Sequence, residues 1–376
     1  MSSSESRQYQ IISQQTAFDT LFNLDKTPSQ DNPAVLTKSD LTNLDFDYIK
    51  LSYSDLSFNR LNNAKFRNSE LNNIIFHASE LINVDFSYSV LNNVDFSGTD
   101  LTNTSFVGAT LINVNFNGAS LNNSKFDKTI IFNSKISSVS FKDANIKNTQ
   151  ITRCLLKNTS FNYAKLESVN IKSSNLSNSS FLGSNLSYVQ FKKSNLEKVT
   201  FDSALLDHIR FINSHLVNLK AKHVKINNAD FRNNSAIGIR ILSSTINTSQ
   251  FDNADLRESL LEESTFRNVS MKNVNLELSK LNYAILDGID LTGSNLSRAI
   301  FNRASLKNSN LSATKNKWTS FIMANLDSTN LDQADIHKTD FRGANLNNVD
   351  FSHTKNFKYA LGFDKANNFT LPGKSQ

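Results

Sequence analysis

The chain has 376 residues, a formal net charge of +6, 20% charged residues, ten Gly, three Pro and one Cys. A single cysteine excludes an internal disulfide, so the fold needs no oxidising compartment, and no run approaches the roughly 18 apolar residues of a membrane-spanning helix. Met1–Arg7 lacks the apolar core of a secretory signal peptide, so Sec export is not expected.

Residues 1–35 carry no repeat. Ser2–Gln15 is rich in Ser and Gln and reads as disordered or weakly helical. Thr16–Leu24 sets Ala17, Phe18, Leu21 and Phe22 on one helical face, with Thr16 as the N-cap. Such a helix suits the covering of an open β-edge. Asp25–Pro33, with Pro28 and Pro33, reads as a linker.

From Leu36 a period of five takes over. Leu61, Phe66, Leu71, Phe76 and so on alternate without a break to Phe126, and from Phe66 onward a small or β-branched residue stands two before each. Five fits neither a 3.6-residue helix nor a two-residue strand, so this is a repeat architecture. The frame can be followed from Leu36 to Leu371 without insertion or deletion, at residue numbers ending in 1 or 6. All these inward sites but Ala221, Ala236, Asn316, Asn356 and Ala366 hold Leu, Ile, Phe or Met. The three prolines lie outside the frame or on its last unit, where they cost no ladder hydrogen bond. Gly is sparse for so many turns, and Asn and Asp, which tolerate left-handed geometry, take its place.

This pattern, as in Ala109, Thr110, Leu111, Ile112 and Asn113, resembles the pentapeptide-repeat family over nearly the whole chain. The resemblance implies an all-β, right-handed quadrilateral β-helix, a pentapeptide-repeat solenoid over residues 36–355. An N-terminal segment (1–35: disordered start, short helical cap, linker) and a C-terminal cap (356–376) would flank it. Four pentapeptides would make one square coil. Phe66, Phe86 and Phe106 are 20 apart, as are Phe76, Phe96 and Phe116, so Phe is expected on two opposite walls and Leu on the other two. About 17 coils at roughly 4.8 Å each would stack to about 80 Å.

Three irregularities stand out. Between Phe126 and Phe141 the Phe ladders change column, with Ile131, Ile136, Ile146 and Ile151 filling the changeover, and a local change of twist or cross-section is expected. Leu219 and Ala221 exchange volumes, and Asn234 and Ala236 are followed by Ile237 and Ile239, which reads as a bulged, weak coil. Asn316 occupies an inward site beside Lys315, Lys317 and Trp318. After Phe351 the frame fades.

Catalytic chemistry finds little support. The six histidines occupy outward positions with no two 20 apart, so neither a metal site nor a cofactor is expected. There is no Gly-rich phosphate loop and no Ser in a nucleophile motif. Cys154 reads as a buried stand-in for Ala. The chain is not expected to be an enzyme.

Charge is more informative. From Asn68 to Ser124 there is no Lys or Arg against five acids, whereas Lys125–Lys225 holds 16 basic and six acidic residues. Lys172, Lys192 and Arg232 share one outward column, with Arg153 and Lys193 on the next. Together they are a candidate surface for an acidic partner. Trp318, the sole tryptophan, is a candidate interface anchor or a cover for the coil at Asn316.

Within the family the chain is most similar to effectors that bacteria inject into host cells by type III or type IV secretion. That similarity implies a non-enzymatic protein-interaction rod made in the bacterial cytoplasm and translocated from there. Its partner would be a host protein or an anionic membrane surface, with no transmembrane span and no specific nucleic-acid recognition. A bacterial intracellular scaffold of unknown role is the first alternative, and a topoisomerase-binding, DNA-mimicking resistance protein the second. The topoisomerase-binding, DNA-mimicking resistance branch is acidic and carries loops that interrupt its frame. The present chain is basic, and its frame runs on.

Overall fold

The computed structural model describes residues 10–11, 13–22 and 28–363. Residues up to Ser184 form one compact unit and those from Asn185 a second. Each is an all-β parallel solenoid built from the same five-residue step. Every residue from Lys38 to Asn348 whose number ends in 3 or 8 has a left-handed backbone, with φ between 48° and 71°. These are the corners. Between them the residues ending in 1, 4, 6 and 9 turn inward and the rest face out. Many corners are closed by a hydrogen bond across three residues: Ala64 N–H donates to the Leu61 carbonyl at 2.9 Å. With φ positive only at the third turn residue, this is a type II turn.

Coil stacks on coil through backbone bonds between residues about one coil apart. Leu61 N–H donates to the Glu80 carbonyl at 2.7 Å, and Asp85 N–H to the Ala64 carbonyl at 3.1 Å. Asn suits the corners for a second reason besides its tolerance of the left-handed region. Its amides form ladders: Asn63, Asn83 and Asn103 each donate to the Asn one coil earlier, at 3.1, 3.0 and 2.9 Å. Where Tyr88 holds a corner, its ring lies over Gly108 one coil on, and a Cβ there would fall 2.5 Å from the ring.

In the first unit, Phe46, Phe66, Phe86, Phe106 and Phe126 stack with centroids 4.8 to 5.3 Å apart. Phe76, Phe96 and Phe116 form a second stack at 5.2 Å. The two ladders occupy opposite walls and meet edge to face, as Phe66 and Phe76 do at 80°. After Phe126 the third ladder begins, with Phe141 on Phe161 at 4.8 Å. There the wall at Lys125–Asp127 becomes a strand that pairs with Asn145–Lys147, which in turn pairs with Lys165–Glu167.

The start of the chain departs from expectation. Helix Gln14–Leu21 begins two residues before Thr16, because Ser13 is the cap: its Oγ accepts the Thr16 N–H at 3.1 Å. Gln10–Ile11, in the stretch expected to be disordered or weakly helical, pairs as a parallel strand with Ser39–Asp40. Residues 1–9 and 12 of the stretch expected to be disordered or weakly helical lie outside the described residues, as do 23–24 of the expected helix and 25–27 of the linker. The helix buries Ala17 and Leu21 and sets Phe18 5.6 Å from Phe46, on the first rung of the Phe ladder.

In the second unit the coil expected to bulge does not. Lys220–Lys222 pairs in register with Arg240–Leu242, and Ser235 bridges Asp255. Leu219, Ala221, Asn234, Ala236 and Ile239 are all buried. Large and small inward residues complement one another, and Asn234 replaces the usual small group by bonding backbone. Its Oδ1 accepts the Ser214 N–H at 2.8 Å, and its Nδ2 donates to the Phe211 carbonyl at 2.6 Å. A second correction concerns the end of the frame. Asp335 bridges Lys355, 20 residues on, but Asp340 bridges Leu361, 21 on. One extra residue enters with the 3₁₀ turn Phe357–Tyr359, so Leu361 is exposed rather than inward. Phe341, Phe351, Phe357 and Phe363 gather over the last coil. The expected sites Ala366 and Leu371 lie outside the described residues.

Candidate interaction surfaces

With two of every five residues packed inside, chemistry is left to the three that face out. Carboxylates that precede an inward residue are largely committed to the walls. In the first unit Asp55, Asp85, Asp95 and Asp100 each accept the backbone N–H two residues on, at 2.8 to 3.0 Å. Asp40 does the same at 3.1 Å. Burial would raise its pKa, but the Thr42 bonds and Arg60 outweigh that and hold it below the ordinary value. The acids of the Asn68–Ser124 stretch are therefore in good part structural: Glu70 also pairs with Lys50 at 2.8 Å, and Glu80 with Arg60 at 3.3 Å.

The cations behave differently. In the first unit Arg153 and Lys172 are exposed, one on a corner and one on the adjoining wall. The Arg153 guanidinium lies 5.6 Å from the centroid of the Phe132 ring, and Ile130 and Leu155 are exposed nearby. Sequence reasoning missed these apolar neighbours; reading outward columns at a period of 20 would have found them. In the second unit Lys192 and Arg232 share a wall, with Lys193 on its corner. Arg232 is largely spoken for: its guanidinium holds both oxygens of Asp230, at 2.8 and 2.9 Å. Trp318 does not join them. It stands on a corner bordering the opposite wall of that unit, with the Lys338 ammonium 4.2 Å from its ring.

The described residues also form shallow clefts, two of them of about 420 Å³. One, in the first unit, is lined by Pro33, Val35, Tyr53, Asp55, Ile75 and Asp95 among others. The other, in the second, is lined by Glu262, Glu263, Asn282, Tyr283, Asn302 and Arg303. In the second cleft, Glu262 accepts from Asn282 at 2.7 Å, and Arg303 donates to the Tyr283 hydroxyl at 3.1 Å. Among the described residues no group of His, Cys, Asp or Glu side chains could hold a metal ion. Cys154 is buried, and burial pushes its thiol up to about 11, away from nucleophile chemistry. No helix among the described residues is long and apolar enough to cross a membrane.

The chain belongs to the pentapeptide-repeat family. A family model described as a pentapeptide repeat region matches residues 156–231, and one for pentapeptide repeats (8 copies) matches six segments between residues 60 and 355. No curated protein sequence matches the chain. Among solved structures it is similar to HetL, a pentapeptide repeat protein involved in heterocyst differentiation regulation from the cyanobacterium Nostoc sp. strain PCC 7120. Identity is 19%, coverage is 66% of this chain and 88% of that one, and the TM-score is 0.23. It is also similar to QnrB1, a plasmid-mediated fluoroquinolone resistance protein, at 20% identity over 56% of this chain and 94% of that one, with a TM-score of 0.25. A pentapeptide repeat protein of the Arabidopsis thaliana thylakoid lumen matches at 23% identity over 25% of this chain and 63% of that one, with a TM-score of 0.18.

Proposed function

We propose that the protein is a non-enzymatic interaction solenoid that binds acidic protein surfaces through the cations of residues 125–225, with Arg153 and Lys172 acting in the first unit and Lys192 and Lys193 in the second. One observation carries this reading: 16 basic residues face six acids in that stretch. Arg153, Lys172, Lys192 and Lys193 all project to solvent from walls that packing holds rigid. Fixed like charges cannot relax away from one another, so an acidic ligand gains by relieving their repulsion. The Phe132, Ile130 and Leu155 side chains beside Arg153 supply apolar contact, as interface cores do.

Binding to immobilised poly-L-glutamate tests the reading. Arg153→Glu with Lys172→Glu, and separately Lys192→Glu with Lys193→Glu, should each weaken it while leaving the melting temperature unchanged. Lys307→Glu with Lys355→Glu makes the same charge change elsewhere and should have little effect. Wild-type binding should fade as the Debye length falls from about 10 Å to about 3 Å. Equal losses in all three variants would refute a localised surface. Delivery into a host cell is part of the same reading and rests on the Ser- and Gln-rich start of the chain. Fusing residues 1–35 to a reporter in a bacterium with a specialised secretion system tests it, and retention would favour an intracellular scaffold.

A further inference from the structure

On one wall of the second unit, apolar and cationic side chains alternate in a way the acidic-partner reading does not use. The wall runs between the corners that carry Leu278, Arg298, Trp318 and Lys338 and those that carry Tyr283, Arg303 and Met323. Lys280, Ile300, Ser320 and Asp340 stack along it through parallel bridges. Four large side chains project from its corners: Leu278 is 47% exposed, Tyr283 53%, Trp318 55% and Met323 57%. Ile300 and Ile322 lie half-buried between them.

Cations surround these groups. Lys280, Arg298, Arg303, Lys338 and Arg342 are all exposed. The one carboxylate among the wall's residues from Leu278 to Gly343, Asp340, is held by the Arg342 guanidinium at 2.7 Å. Glu262 and Glu263 mark where this character ends, one coil earlier.

We propose that this wall seats on the surface of an anionic lipid bilayer. A planar array matches a planar surface, whereas a protein hot spot is expected to be a clustered anchor entering a pocket. Trp and Tyr rings belong at headgroup level, with an apolar body and a polar tip. Leu278 and Met323, on opposite corners, are flexible apolar groups that can enter the acyl boundary. Lys and Arg between them would reach anionic headgroups, by the same logic that draws polybasic segments to such membranes. The wall is on the opposite side of its unit from Lys192 and Arg232, so it is a separate surface from the one proposed for an acidic protein.

Trp318 is the only tryptophan, so its emission reports on this wall alone. The test adds the full chain to vesicles of phosphatidylcholine with about 30% phosphatidylserine, a strongly anionic surface, and to vesicles of phosphatidylcholine alone. The chain should sediment with the anionic vesicles, with a blue shift of Trp318 emission, and far less with the neutral ones. Leu278→Ser with Met323→Ser keeps the charge and should weaken binding on the order of tenfold, as lost apolar insertion requires. Arg298→Glu with Lys338→Glu should abolish it. Arg153→Glu with Lys172→Glu should retain both sedimentation and blue shift, which separates this surface from the acidic-partner site. An unshifted Trp318 with anionic vesicles would overturn the proposal. So would full binding by the Leu278 and Met323 variant, or a Trp318 shift with poly-L-glutamate or an oligonucleotide but not with vesicles.

Discussion

Removing the Phe86 ring is the most direct test of how the first unit is held together. Phe86 is fully buried and touches four other rings. Phe66 and Phe106 stack on it at 5.2 and 5.3 Å, while Phe76 and Phe96 meet it edge to face at 6.1 and 5.5 Å. The coils above and below are fixed by backbone ladders, so they cannot collapse into the space, and Phe86→Ala should cost about 3–5 kcal/mol. Phe86→Leu should cost no more than about 1.5 kcal/mol, because Leu166 fills the same column position four coils on. Phe132→Ala makes the same chemical change at an outward position and should cost about 1 kcal/mol or less. A solenoid can open locally, so native-state hydrogen exchange in the coils around Phe86 should accompany urea unfolding. A loss below about 1 kcal/mol for Phe86→Ala, or equal losses for Ala and Leu, would refute the ladder as the main source of stability.

Four further outcomes follow from the same geometry. One residue inserted after Asn93 should lower the melting temperature far more than an in-register insertion of five or 20, because one residue reverses the inward and outward sets. With its thiol pushed up to about 11 and its side chain buried, Cys154 should resist alkylation at pH 8 in the native protein and react fully in denaturant. Asn316→Leu should stabilise by about 1–2 kcal/mol, since Asn316 Oδ1 is buried without a partner among the described residues and Thr314 keeps its bond to the Leu311 carbonyl. The Arg257 side chain holds the Asp255 carboxyl below its ordinary value. A depressed folded pKa contributes stability above the ordinary carboxylate range that is lost as pH falls through the folded value. Arg257→Gln should therefore melt below wild type at pH 7, and the gap should close at low pH.

The core was legible because packing constrains two residues in five so tightly. A buried wall one strand spacing from its neighbours accepts Leu, Ile or Phe and little else, so the period of five is written plainly from Leu36 onward. The same strictness misled at Asn234, where a polar residue suggested a fault. The inward site two before Leu or Phe lies beside backbone carbonyls, and an amide there bonds them instead of leaving a void. At the C-terminus the sequence period continues through Leu361 while the ladder slips by one. Periodicity alone does not show that a 3₁₀ turn has absorbed a residue. At the N-terminus Ser13 and the Gln10–Ile11 strand were hidden because a two-residue strand is defined by its partner, Ser39–Asp40, and has no pattern of its own.

The surface was far less legible, and Trp318 shows why. Reading along the chain places it directly after Lys315, Asn316 and Lys317, which suggests an aromatic held among sequence neighbours. In the folded unit Trp318 stands on a corner, while Lys317 lies on the wall before that corner and turns to Asp335 at 3.8 Å. The cation over its ring is Lys338, and Arg298 is its neighbour on the other side, each one coil away. Adjacent residues of a solenoid diverge onto different walls, while residues 20 apart converge on one. Surface neighbours here are therefore read down the columns, as Leu278, Arg298, Trp318 and Lys338 are. Outward positions are held by corner ladders and wall hydrogen bonds rather than by core packing, so they tolerate a wider range of side chains than the inward sites, and their pattern is correspondingly harder to read.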